Sequence, residues 1–403
     1  MPEKREIVTK ELKENDGILQ MKPCWVSRDY LPSGKRLFLK EEEYADGQRG
    51  EICERWLVSE TQADNKYYLE HEGQSHLKLR TSDEDILLPE ALAACPVELM
   101  GDTYSKQHKG LDRLLKIFDY KTPLFFHYHH REVHAKQVGR QSKEEAYYFL
   151  EADTGSHPAT FFGVHPYIVR NNLQKKLLLP IMKKWEGEEI LKHSRAYLTV
   201  PGEGFHLAAG ILHAPGTALT LELQESSDVM AILQADIQGI RMSKNLMYKD
   251  IPEEEVKAKQ EEAVLDRVDW EASGDPYFYE NHHLAPSPVS GTLPDGVSED
   301  WVWYNSYKFN GTRVTIQKGA SYVSKAMGVH GIFVWSGNGI LDNFTVVGQQ
   351  VSRNDSNDEF LISYEKALKG VTIKNTGEVP LVFFKFFGPG INDSIVPFIK
   401  KTE

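Results

Sequence analysis

Cysteine is nearly absent from this chain: Cys24, Cys53 and Cys95 are the three among 403 residues. They are odd in number, far apart, and form no C-x-x-C, which argues against a disulfide framework or a thiolate metal site. The expectation is a reduced, cytoplasmic protein in which a thiol nucleophile is disfavoured. Basic charge is also in short supply. Lys and Arg total 47 against 59 Asp and Glu, a net charge of −12, and no basic stripe forms. That excludes a general nucleic-acid or anionic-membrane binder, though not a local cationic pocket. Long apolar runs are missing as well. No segment approaches the roughly 18 apolar residues of a membrane span. The charged stretch Met1 to Asn15 has no apolar core of signal-peptide length.

What is present suits a globular protein of two or three domains, with 40% hydrophobic and 26% charged residues. Ile52 to Ser59 reads as a strand, Tyr67 to Gly73 as a hairpin region, Leu87 to Leu99 as a helix, and Leu111 to Phe118 as a run into a strand. Lys116 on that last run reads as a snorkelling surface lysine. Leu173, Leu177, Ile181 and Trp185 form a helical packing stripe that Pro180 should break or kink. Residues 195–223 return to strands and tight turns, with Gly202, Gly204 and Gly210 at the turns. Residues 241–273 read as a charged helical connector, and 284–300 as a Pro-, Gly- and Ser-rich linker. The β-rich remainder has the short-strand spacing of a sandwich or barrel.

One stretch carries most of the chemistry: Leu124 to Leu150, LFFHYHHREVHAKQVGRQSKEEAYYFL. It holds His127, His129, His130 and His134, and ends on Glu144 and Glu145 before a second strand-like run. Strand side chains alternate, so His127 and His129 share a face and can share a metal ion. His130 has the opposite parity and should face away. His213 follows Gly210 where a turn hands over to a new strand. The expected metal ligands are His127, His129, Glu145 and His213, with His134 and Glu144 as rivals. Three nitrogens and one oxygen suit one divalent ion, zinc first, with iron, manganese, cobalt or nickel also compatible. The plain alternative is a surface histidine cluster and a structural His213.

The order H-x-H, carboxylate, G-I-L-H resembles a cupin, and more narrowly a type I phosphomannose isomerase. That family's Q-x-H-P pair lies where this chain has His127, Tyr128 and His129. Its K-x-E motif matches Lys143, Glu144 and Glu145. Its G-T-V-H-A motif matches Gly210 to Ala214, and its L-E-x-Q-x-x-S-D segment matches Leu221 to Asp228. The early I-G-E-x-W is echoed by Ile52 to Trp56, and the resemblance spans residues 50–236. It implies a mainly β double cupin, two jelly-roll β-barrels with helical insertions. Residues 1–240 would hold N-terminal strands and the metal-binding cupin with an insertion at 167–194. Residues 241–300 would be a helical connector and linker, and 301–403 a C-terminal cupin without metal, since His330 there has no H-x-H partner.

The departures from the family are His127 for glutamine, Ala208 for proline, and Ile232 for an arginine implicated in catalysis and phosphate contact. Losing that fork weakens the case for a phosphorylated substrate. The resemblance implies a metal-dependent aldose–ketose isomerase acting on a sugar or sugar phosphate through an enediolate. Lys143 is the first candidate for handling the charge, Glu222 for a base or hydroxyl acceptor, and His206 for a substitute base. To act as a base, Lys143 would need a lowered pKa. The alternatives are another metal-cupin chemistry (oxygenase, epimerase or lyase) and a non-catalytic sugar-binding module. The expected partner is a small carbohydrate, with no nucleic acid and no membrane; a homodimer is compatible with the sequence.

Overall fold

The computed structural model of the chain describes residues 2–402. Short strands rich in aromatic and branched residues build two pairs of antiparallel sheets. In the first pair, a seven-stranded sheet runs in the order His283–Leu284, Gly204–Leu207, Glu145–Phe149, Thr220–Glu225, Arg113–Phe118, Glu51–Leu57, Cys24–Arg28. A five-stranded sheet faces it: Ala231–Ile232, His127–Tyr128, His213–Ala214, Ala159–Phe162, Arg195–Leu198. Their inward residues share one core, in which Phe162 meets Phe205 at 4.6 Å and Tyr147 at 6.4 Å between ring centroids. Each fully buried aromatic of this kind contributes roughly 1.5–3 kcal/mol over exposure.

The second pair repeats the plan, with a seven-stranded sheet containing Asn310–Ile316, His330–Ser336 and Leu381–Phe387 and a five-stranded sheet containing Ser321–Ser324 and Val371–Asn375. Both pairs are jelly-roll sandwiches. Among the described residues their layers are not hydrogen-bonded into closed cylinders, so "barrel" describes the enclosed core and not the ladder. The strand Ile18–Gln20 pairs with Glu359–Ile362, so an early segment completes the late sheet.

The two seven-stranded sheets pack back to back. Leu115, Ile117, Ala146, Tyr148, Leu221 and Leu223 on the first meet Phe333, Leu361, Phe384 and Phe386 on the second. Tyr148 and Phe384 stand 5.2 Å apart. Arg55 crosses this apolar seam, donating to Asp358 at 2.6 and 2.8 Å and to Glu359 at 3.1 Å. All three are buried. Arg55→Leu is expected to cost about 3–5 kcal/mol, because it strands two buried carboxylates. Urea unfolding at pH 7.5 measures this, and a loss below about 1 kcal/mol would remove Arg55 as a tie between the sandwiches.

Several local expectations shift for definite reasons. The helix over 87–99 is two, Leu88–Ala94 and Pro96–Met100, interrupted where Pro96 lacks an N–H. Residues 67–73 form turns without strands, because the exposed Tyr67 to Glu70 find no partner. Helix Gln174–Lys184 runs through Pro180, which lies on the exposed side where the carbonyl it frees is open to water. Leu178, Met182 and Trp185 are its buried residues, while Leu173, Leu177 and Ile181 are half-buried.

Candidate metal centre

The ladder of the five-stranded sheet assembles the histidines. His213 pairs directly with His127, and His127 with Ile232, so these three side chains share a row on the inner face. His129, two residues on, points the same way. The rings of His127 and His213 are 4.0 Å apart, and those of His129 and His213 are 5.1 Å apart. Gly210 sets up the turn before His213. Its φ of +98° suits glycine, and its N–H donates to the His129 carbonyl at 2.8 Å, tying the two ligand segments together.

Each imidazole is held by its other nitrogen. His127 Nδ1 meets the Phe125 carbonyl at 2.8 Å, His129 Nδ1 the Val229 carbonyl at 2.7 Å, and His213 Nδ1 the Ile211 carbonyl at 2.9 Å. Carbonyls only accept, so each Nδ1 carries the proton and each Nε2 keeps its lone pair. Ligand nitrogens of all three lie within 4.8 Å of one another. The opposite sheet supplies Glu145, whose Oε2 is 3.0 Å from His129 Nε2 and whose Oε1 is 3.0 Å from His213 Nε2. Tyr147 donates to that Oε1 at 2.5 Å. His213 Nε2 is buried without a hydrogen bond. Three proton-free nitrogens held from behind, and a carboxylate whose oxygens lie 3.0 Å from two of them, fit a divalent cation.

The seven-stranded sheet adds an ionic floor. Register places Trp56, Lys116, Glu222, Tyr147 and Phe205 in one inward row. Lys116 is therefore buried, with its Nζ 3.1 Å from Glu222. The surface reading of Lys116 fails because its strand is central and both faces are covered. Lys143 Nζ bridges the two parts of the site, at 3.0 Å from Glu145 Oε2, 3.0 Å from His129 Nε2 and 3.2 Å from Glu222 Oε1. Further out, Arg28 donates to Glu54 at 3.0 Å and to Asp228 at 3.4 Å. Sequence reading missed Arg28 and Asp228 as partners. Glu54 did stand in the I-C-E-R-W segment, at the same parity as Trp56.

Charge states follow from this packing. Burial, then the neighbouring imidazoles, holds His127 well below the usual histidine range; burial and the Lys143 ammonium bring His129 to about 3. Burial opposes the charge on Lys143, but Glu145 and Glu222 outweigh it and raise its pKa. Lys143 is thus a fixed cation, and the lowered value a lysine base needs is not found. Burial, then Glu145, raises Glu222, with Lys116 and Lys143 offsetting part of the effect. Burial works against Glu145 as well, yet the neighbouring Lys143 ammonium holds it ionised.

The remaining candidates lie elsewhere. His206 pairs in register with Ala146, so it projects from the opposite face to Glu145. Its Nε2 meets Glu144 at 2.9 Å, and both line a separate cavity of about 980 Å³. Glu144 also accepts from Ser306 at 2.5 Å. The structure does not bring His206 or Glu144 to the histidine cluster. His130 faces away, with its Nε2 3.4 Å from the Lys249 carbonyl, and His134 sits on the short helix Glu132–Ala135 outside the cluster.

No family model and no curated protein matches the sequence. Solved structures do match the fold. The mannose 6-phosphate isomerase from Bacillus subtilis aligns over 92% of this chain and 99% of its own, with a TM-score of 0.61 and 15% identity. A mutant of phosphomannose isomerase from Salmonella typhimurium aligns over 92% and 100%, with a TM-score of 0.58 and 13% identity. A mannose 6-phosphate isomerase bound with zinc and yttrium gives 92%, 99%, 0.58 and 13%. At such identity the likeness establishes the fold, the double cupin of the phosphomannose isomerases.

Proposed function

We propose that the chain is a metal-dependent aldose–ketose isomerase of the mannose-6-phosphate isomerase type. The observation that supports this most is the convergence of three Nδ1-anchored imidazoles and Glu145 beside a buried acid and a buried ammonium. His127, His129, His213 and Glu145 would hold one divalent ion, zinc first by its ligand chemistry. When bound, such an ion supplies Lewis acidity toward adjacent carbonyl and hydroxyl oxygens. Glu222, whose pKa burial raises, moves a proton between neighbouring sugar carbons. The Lys143 ammonium stabilises the negative oxygen of the enediolate. Tyr147 fixes Glu145 through its hydroxyl.

The ionic floor also bears on the substrate. Ile232 is fully buried opposite His127, where the family resemblance would place an arginine. Arg28, Lys116, Lys143 and Lys249 are each already beside a carboxylate. This favours an uncharged sugar over its phosphate, because a phosphate would have to draw a cation away from its partner. A screen of free and phosphorylated aldoses and ketoses, with metal content measured alongside, tests the reading. Turnover is expected with solvent-deuterium incorporation at C2 or C1. Absence of any isomerisation by the metal-loaded protein would reject it, and oxygen consumption would point to an oxidative cupin. Lys143→Ala is expected to lower kcat about 100-fold or more with a smaller change in KM and metal retained. Wild-type kinetics in that variant would take Lys143 out of the mechanism.

A further inference from the structure

The C-terminal sandwich has an interior of its own. Over most of its depth it is apolar, with Val314, Ile332, Val334, Phe360, Ile362 and Phe383 in one cluster. At one end the character changes. Register aligns Trp301, Thr312 and Lys385 in a single row on the inner face, with Glu299 two residues before Trp301. Glu299 Oε1 accepts from Lys385 Nζ at 2.6 Å and from Thr312 Oγ1 at 2.7 Å. Its Oε2 accepts from the Tyr322 hydroxyl at 2.7 Å, which reaches across from the facing sheet. Lys385 also donates to Ser324 Oγ at 3.2 Å. Glu299 is 5% exposed and Lys385 is 4% exposed. Over this floor opens a cavity of about 600 Å³, walled by Trp301, Tyr322, Phe387, Met327 and Ile395.

An ion pair at this depth does little for stability, since two apolar residues of equal volume would serve as well or better. The surroundings are instead those of a ligand pocket: a concave mouth of a β-sandwich, aromatic walls, a volume within the usual range, and a few convergent polar groups. The floor also states what it would take. The Lys385 charge is cancelled by Glu299, so neither an anion nor a cation is called for. Lys385 keeps a third N–H, and the Thr312 and Tyr322 hydroxyls keep acceptor lone pairs. Donors and acceptors side by side match hydroxyl groups, which are both at once. Aromatic walls match the apolar face of a sugar ring. In the adjoining row His330, which pairs with Phe387, keeps a buried Nε2 without a hydrogen bond.

We infer that the C-terminal sandwich holds a second binding site, for an uncharged, polyhydroxylated ligand of monosaccharide size, separate from the histidine cluster. Titration calorimetry on the full chain tests it with methyl α-D-mannoside, methyl β-D-glucoside, methyl β-D-galactoside and myo-inositol. None of these has a free carbonyl to isomerise. At least one is expected to bind below about 10 mM, and equally well to His213→Ala. Thr312→Val and Tyr322→Phe are expected to weaken that binding tenfold or more with metal content unchanged and the chain still folded, at a cost of a few degrees in thermal midpoint for the donor each takes from Glu299. Lys385→Met should abolish it, and the two milder variants carry the test if that one does not fold. No binding by any of the four probes overturns the inference. So does binding that Thr312→Val leaves intact and His213→Ala removes, because the ligand would then sit at the histidines.

Discussion

His213→Ala is expected to take metal content from about one ion per chain to below about 0.1 and to lower turnover by roughly three orders of magnitude. The side chain is fully enclosed, and its Nε2 has no hydrogen-bond partner. Its removal therefore costs the fold one carbonyl contact and a cavity, about 2 kcal/mol. What the site loses is larger. One of three nitrogens disappears, and Glu145 loses the neighbour 3.0 Å from its Oε1. Glu144→Gln makes the decisive comparison. It changes the adjacent residue, but Glu144 points to His206 and Ser306 on the other face, so metal content should not change. Elemental analysis of the purified variants reads both outcomes. Undiminished metal in His213→Ala would reject the assignment of the whole centre.

Acidification without added metal is expected to unfold the chain well above the usual carboxylate range. Burial holds His129, His130 and His330 neutral, each with a pKa near about 3 against an ordinary 6.5. Between those values the unfolded chain binds protons that the folded chain refuses, so stability falls as pH drops below 6.5. At pH 5 each such group costs about 2 kcal/mol, or roughly 6 kcal/mol for the three. Glu359 works the other way. Burial lifts it to about 7, so the folded state takes up a proton first and gains roughly 2–3 kcal/mol on the same descent. A net loss of several kcal/mol is a large share of a domain's total stability. Urea midpoints at pH 7.5 and pH 5 measure it, and His130→Gln should remove about 2 kcal/mol of the dependence. A bound divalent ion adds protection, because protonation of His129 would then compete with the metal. A midpoint that stays flat from pH 7.5 to 5 would contradict this account of the buried histidines.

Strand alternation alone put His127 and His129 on one face and His130 on the other, since the period of two needs no partner strand. The turn at Gly210 and the histidine three residues later were equally local. Between the two adjacent acids the sequence put Glu145 first, with Glu144 as its rival of opposite parity. Deciding between them required knowing which face of the strand Glu145–Phe149 meets the five-stranded sheet, which is a property of packing. His206 shows the same limit: its chemistry suits a base, but its register with Ala146 turns it to the other side.

By itself the sequence determined the short-strand architecture and the order in which the candidate ligands arrive, because these depend on composition and on periodicities of two and 3.6 residues. Only the tertiary structure decided that Lys116 is buried against Glu222, that Lys143 stays charged, and that Glu299 and Lys385 close the floor of a second cavity. Those outcomes rest on cross-strand register and on the water excluded between packed sheets, and both arise between segments far apart in the chain. A lone stretch of residues carries the identity of a charged group, but the dielectric around it and the partner opposite it exist only once the layers have closed.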